Sequence, residues 1–292
     1  MSEQAIRTII SVDAGGTKTL ARLTDIDTNQ SVEMRSGSGS LTNDTSAACQ
    51  TITLLINDLV LKHGISPEST TVVCGAAGAE EPVQKQQLLN AINHLGFARV
   101  HVTSDAHISL LGATGGDYGV CVAIGTGSVA LRYGTDQTIT QFGGWGFQVG
   151  DQGSGADIGR HAVREVLKAL DRDKHTTPFV LDILEIIGSE RAEILQWVKQ
   201  ATPASYAALG PTVLVHRAKS EIAQQILQQA LADIRELIEL ARGDSNLPVY
   251  LMGGMGNAVL ELLGDGQNDW LRAAKGNALD GALLLGRQLL ED

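Results

Sequence analysis

The chain of 292 residues holds only three cysteines, Cys49, Cys74 and Cys121. They are odd in number, far apart, and each sits in an apolar or helical stretch. That gives neither a disulfide framework nor a metal-ligand spacing. There is no block of lysine and arginine, and the formal net charge is −11. Such a chain is a poor partner for nucleic acid. No apolar run reaches the length of a membrane span. Met1–Arg7 lacks the basic start and long apolar stretch of a secretory leader, so the cytoplasm is the expected compartment. The seven histidines never fall at HxxxH or HxxEH spacing, which argues against a metal centre.

What the chain has in quantity is glycine, 33 residues without period. The glycines cluster beside apolar runs, where backbone must turn sharply or approach something closely. Apolar residues make up 43 %, enough for two cores at this length. Thr8–Asp13 is a β-branched run that ends at Ala14-Gly15-Gly16, and Thr17–Thr24 resumes the alternation, which predicts a glycine-turned hairpin. Ser31–Arg35 is a third strand candidate. Thr45–His63 and Pro82–Leu95 carry helical spacing, Thr71–Cys74 and Ala98–Thr103 read as strands, and a helix is expected over Asp105–Ala113.

The pattern then restarts. Tyr118–Ile124, Gly125-Thr126-Gly127-Ser128 and Val129–Tyr133 repeat strand, glycine turn and strand at an offset of about 111 residues. An internal duplication explains this economically. Helical segments are expected over Ala156–Leu170, Pro178–Ile187, Glu190–Val198, Lys219–Arg242, Asn257–Leu263 and Ala278–Leu290, with a strand at Pro248–Met252. The expected class is α/β: two duplicated domains of mixed sheet flanked by helices, 1–113 and 114–292, with helix 278–292 able to pack back on the first.

The first loop is not a P-loop, because Thr17 separates Gly16 from Lys18 and a strand follows where a helix should open. Gly125–Ala130 fits GxGxxA, but it too runs into a strand. As a pair, the loops can cradle phosphate with backbone N–H groups and hydroxyls. A third cluster, Gly253-Gly254-Met255-Gly256, ends a strand and opens a helix, and either accepts an adenosine or allows close packing. Asp13 can hold Mg²⁺ through water. Asp105 is either a helix N-cap or a catalytic base. Asp151 is either a turn residue or a sugar ligand. Trp145 and Phe147 either stack on a sugar or fill a core.

Five segments together resemble the sugar kinase and actin superfamily, and specifically its BadF/BadG/BcrA/BcrD-type branch, which includes N-acetylglucosamine and glucosamine kinases. They are Asp13–Thr17, Thr103–Ala106, Ile124–Ser128, the run Gly143-Gly144-Trp145-Gly146 followed by Gly150–Gly155, and Leu251–Met255. The resemblance implies two ribonuclease H-like (actin-like ATPase) domains that close over an interdomain cleft. It implies an ATP- and Mg²⁺-dependent kinase acting on the 6-hydroxyl of N-acetylglucosamine or glucosamine, and a homodimer. Asp105 would be the base and Asp13 the Mg²⁺ residue. Gly15, Gly16, Thr17, Thr126, Gly127 and Ser128 would hold phosphates, and Gly253 and Gly254 would flank adenosine. Ala77, Gly78, Gly146 and Asp151 would meet the sugar. Where relatives place an asparagine on the sugar, this chain has Ser40, with Asn43 three residues on.

Two rival readings follow. One is an ATPase that activates a 2-hydroxyacyl-CoA dehydratase, which needs an iron–sulfur cluster that these cysteines are not arranged to hold. The other is a sugar-sensing regulator, which needs a DNA-binding segment ahead of the first strand, where Thr8 already begins the sheet.

Overall fold

The computed structural model describes residues 7–136, 138–172, 177–264 and 269–291. The N-terminal segment considered above as a leader lies, apart from Arg7, outside the described residues, and so does His175. The chain divides into two compact units, 1–117 with 274–292, and 118–273.

In the first unit, β1 (Thr8–Ala14) pairs antiparallel with β2 (Thr19–Asp25), which pairs antiparallel with β3 (Ser31–Ser36). On its other side β1 runs parallel to β4 (Thr70–Ala76), and β4 runs parallel to β5 (Arg99–Thr103). The sheet order is therefore β3-β2-β1-β4-β5. Strand alternation sends Ile10, Val12, Val72 and Cys74 into a core with α1 (Thr45–His63) and α2 (Pro82–Asn93). The opposite face sets Val73 against α3 (Asp105–Thr114) and α11 (Ala278–Glu291). Those two helices lie nearly backbone to backbone. A Cβ added at Gly112 would strike Asn277 O, and one at Gly281 would strike Ile108 O. Burial of Ala278 and Ala282 on this face is what brings the C-terminal helix back to the first unit.

The second unit repeats the plan. β6 (Gly119–Ile124), β7 (Ser128–Tyr133) and β8 (Ile139–Gly143) form the antiparallel part, and β9 (Val249–Met252) and β10 (Leu271–Ala273) extend it in parallel, in the order β10-β9-β6-β7-β8. Pairing, direction and order match the first sheet strand for strand. The duplication is offset slightly from the sequence estimate. Ala14 pairs with Thr19, while Ile124 pairs with Ser128, so the first turn is one residue longer and the strands align at 110 and then 109 residues.

Between β8 and β9 stand α4 (Gly155–Asp171), α5 (Pro178–Ile187), α6 (Arg191–Gln200) and α9 (Glu221–Arg242). The short helices α7 (Pro203–Ala207) and α8 (Gly210–His216) join them, and α10 (Gly256–Leu263) follows β9. The strands β8 and β10 and the helices α7 and α8 were not apparent in the sequence pattern, being short. No helix among the described residues is long and apolar enough to cross a membrane.

Candidate functional site

In the first unit, parallel pairing brings three strand ends together. Asp13 lies opposite Gly75, and Gly75 opposite Thr103, two residues before Asp105. The hairpin that follows Asp13 is closed by a bond from Gly15 N to Lys18 O at 3.0 Å. Gly16 and Thr17 are exposed, and their amides meet no protein acceptor among the described residues. A Cβ on Gly16 would meet nothing within 4 Å. Neither packing nor positive φ requires glycine there, and the open side leaves room for a ligand to touch backbone.

Asp105 is not the N-cap of α3, which was one of the sequence alternatives. Ser104 takes that position, its side chain accepting from His107 N at 3.2 Å. Asp105 is the first helical residue, with Oδ1 accepting from Ala106 N at 2.9 Å. Serine can fill the cap because only one acceptor is needed there, and this leaves the Asp105 carboxylate its remaining lone pairs. Burial pushes the Asp105 carboxyl above the usual carboxylate range, and the negative charge of Glu80 adds to the shift. Burial also raises Asp13, and the charge of Asp105 raises it further, against a smaller opposing effect of Lys18.

Gly75 fixes the approach of α3. A Cβ there would collide with the Ile108 side chain and stand 3.0 Å from Ser104 O. Glycine at this strand position lets the helix that bears Asp105 lie directly on β4. His107 is half-buried and its Nδ1 lies 2.9 Å from Thr103 Oγ1, bracing the same corner.

The neighbouring loops close on this edge. Ala77 N donates to Ala14 O at 2.9 Å, Leu41 N to Ala77 O at 2.8 Å, and Gly39 N to Gly15 O at 3.0 Å. Gly78 adopts a φ of +90° and packs on Thr42, which a Cβ would approach at 2.6 Å. The segment holding Ser40 and Asn43 thus lies beside Ala77 and Gly78. Ser40 is only 6 % exposed, while Asn43 is exposed. Of the two, Asn43 has the freer side chain.

In the second unit, Gly125 N donates to Gly127 O at 2.9 Å, and the Thr126 and Gly127 amides meet no protein acceptor among the described residues. The first turn of α4 seals the turn from below, with Gly155 N on Gly125 O at 2.8 Å and Ala156 N on Thr126 O at 3.2 Å. Asp151 takes the left-handed region at φ 60°, and its carboxylate faces the hairpin, accepting from Ser128 N at 3.4 Å. Ser128 Oγ donates to Gln152 O at 2.8 Å, so its hydroxyl is engaged within the protein. The loop is braced from behind by Asp157, which accepts from Gly153 N at 3.1 Å and pairs with Arg160 at 2.5 Å. Arg160 also donates to Phe147 O at 3.2 Å.

Gly146 is exposed at φ 89°. Trp145 is 79 % exposed, so its core alternative is withdrawn; Phe147 packs under Arg160 and against Tyr206. Gly253 has its own structural reason, since a Cβ would strike Ile124 O. Gly254, next to it, is exposed and open. Close packing therefore accounts for Gly253 and not for Gly254. Cys74 and Cys121 are buried.

Sequence reasoning missed two residues here. Gly75 was seen only as the end of a strand, since its role depends on a helix that packs from 30 positions away. Glu80 was not singled out, and its signal was the position just beyond the Ala77-Gly78 turn.

Two copies of one mixed five-stranded sheet, each with a glycine hairpin after its first strand, define the actin-like ATPase and sugar kinase fold. A model described as the BadF/BadG/BcrA/BcrD ATPase family matches residues 10–286, and the chain belongs to that family. Among its relatives is the glucosamine kinase of Vibrio cholerae, 27 % identical over 94 % of this chain and 94 % of that one. An N-acetylmuramic acid/N-acetylglucosamine kinase of Clostridium acetobutylicum is 30 % identical over 61 % of this chain and 60 % of its own length. The crystal structure of a candidate N-acetylglucosamine kinase from Chromobacterium violaceum superimposes with a TM-score of 0.82 at 31 % identity, covering 97 % of this chain and 100 % of that one.

Proposed function

We propose that this protein is an ATP-dependent amino-sugar kinase that phosphorylates the 6-hydroxyl of glucosamine or N-acetylglucosamine. The observation that carries the reading is the pair Asp13 and Asp105, set at the ends of β1 and β5 on either side of β4, beside an open glycine hairpin and close enough for one charge to raise the other. The kinase names of the relatives support it.

Phosphoryl transfer demands positioning and charge stabilisation more than covalent chemistry. Asp105 accepts a hydrogen bond from the sugar hydroxyl, orients it for in-line attack and takes its proton. The raised affinity of its carboxylate for a proton suits that task, since the base must gain one as the bond forms. The free amides at Gly16, Thr17, Thr126 and Gly127, with the exposed Thr17 and Thr126 hydroxyls, receive phosphate oxygens. Gly15 and Ser128 shape these turns, and Gly253 and Gly254 flank the adenosine. Ala77, Gly78, Asn43 and Ser40 of the first unit, and Gly146 and Asp151 of the second, are the proposed sugar contacts.

Asp13 fits a divalent cation: its carboxylate is half-buried, stands beside another carboxylate and offers hard oxygen donors. Asp13 would hold Mg²⁺ through water, and the ion would supply neutralisation of phosphate charge. The test is a coupled ADP-release assay across glucosamine, N-acetylglucosamine, N-acetylmannosamine and glucose, with the wild type and Asp105→Asn. Sugar-dependent ADP release that the substitution abolishes supports the reading. Release that is independent of sugar, or unaffected by Asp105→Asn, overturns it.

A further inference from the structure

We infer that Glu80 is the residue that reads the 2-substituent of the sugar, and that it selects a protonated amine over an acetamide. The inference rests on the amino-sugar kinase reading above and names the substrate within it.

The turn after β4 places Glu80 by elimination. Ala79 N donates to Ala76 O at 3.0 Å, and Glu81 N to Gly78 O at 3.2 Å, so the chain coils tightly over these residues. Gly78 packs on Thr42, and Ala79 is buried. Glu80 is then the first exposed side chain of the turn, immediately after the two residues beside the Ser40–Asn43 segment. Its carboxylate makes no hydrogen bond or ion pair among the described residues, and its charge is felt at Asp105. Glu81, by contrast, sits at the N-cap position of α2, where a negative charge is explained by the helix dipole.

An exposed carboxylate without a partner, near enough to Asp105 for the like charges to repel, raises the energy of the empty site. An incoming cation relieves it. Glucosamine supplies one as the ammonium at carbon 2, while its 6-hydroxyl, across the ring, goes to Asp105. N-acetylglucosamine and glucose supply none. Among the proposed sugar contacts of the first unit, Ser40, Asn43, Ala77 and Gly78 are all uncharged; Asp151, in the second unit, is the other carboxylate proposed to meet the sugar, and its Oδ1 already accepts from Ser128 N. The competing cation is Mg²⁺, which every sugar would share.

The experiment compares wild type, Glu80→Gln and Glu80→Ala at saturating Mg²⁺ and ATP, with kcat and KM for glucosamine and for N-acetylglucosamine. A charge-assisted hydrogen bond of ordinary strength predicts a roughly 10–100-fold loss of kcat/KM for glucosamine, carried mainly by KM. The value for N-acetylglucosamine holds within about 3-fold, or improves. Equal losses on both sugars, or no loss on glucosamine, overturn the assignment. A wild type that uses only N-acetylglucosamine also overturns it while leaving the kinase reading intact. A wild type that phosphorylates neither sugar removes the kinase reading itself.

Discussion

Placing a single methyl group on Gly75 should disable the protein without touching any proposed ligand. The added Cβ would lie well inside the 3.0 Å limit that real Cβ atoms keep, against both outer carbons of the Ile108 side chain. Ile108 is fully buried, and Ser104 O, at 3.0 Å, blocks escape on the other side. Regaining ordinary contact, 3.4 Å or more, requires the first turn of α3 to lift by about 1 Å. Asp105 opens that turn. Overpacking of this kind costs about 1–3 kcal/mol, and a displacement of about 1 Å at a reacting group costs about 10²-fold in rate. Gly75→Ala is therefore expected to lower kcat about 100-fold and to lower Tm by several degrees. Steady-state ADP release and a thermal melt measure the two effects. Ile108→Ala in the same chain removes the two colliding carbons. The double variant should recover most of the turnover while remaining destabilised by its cavity, a clear departure from additivity. Near-full turnover in Gly75→Ala, or strict additivity in the double variant, would refute the reasoning.

Asp105→Asn should cut kcat by roughly 10²–10⁴ with little change in ATP affinity, measured by nucleotide titration. The same substitution should raise Tm in the absence of ligands at neutral pH. The folded-state affinity of Asp105 for a proton is raised, so its ionisation opposes folding, and that penalty fades only as pH falls through the raised value. A lower Tm for the asparagine variant at pH 7 would contradict this. The acid limb of kcat/KM should lie above the ordinary aspartate range, and Glu80→Gln should move it toward lower pH, since Glu80 contributes to the shift. A limb that stays put in that variant would separate the two carboxylates. Gly281→Leu should abolish soluble expression, because the new side chain would enter the backbone of α3 at Ile108. Finally, Trp145→Ala should raise the sugar KM with Tm unchanged, given its 79 % exposure; a large stability loss instead would restore its core role.

The local chemistry of this protein was legible in the sequence because it depends on contiguous residues. A β-branched run meeting glycine predicts a hairpin wherever it occurs, and Asp13–Thr17 and Ile124–Ser128 form hairpins. Their repetition told of two similar sheets, and the matching strand orders follow from it. Tertiary structure alone decided the rest. It set the length difference between the two turns, gave the cap of α3 to Ser104 and not to Asp105, and turned Trp145 outward. It also set how closely α11 lies on α3, at Gly112 and Gly281. These outcomes depend on which surfaces meet, and the meeting of distant surfaces is governed by buried area and close approach, neither of which leaves a periodic trace along the chain. For the same reason Gly75 did not stand out in the sequence, and only the parallel register of β1, β4 and β5 set it between Asp13 and Thr103.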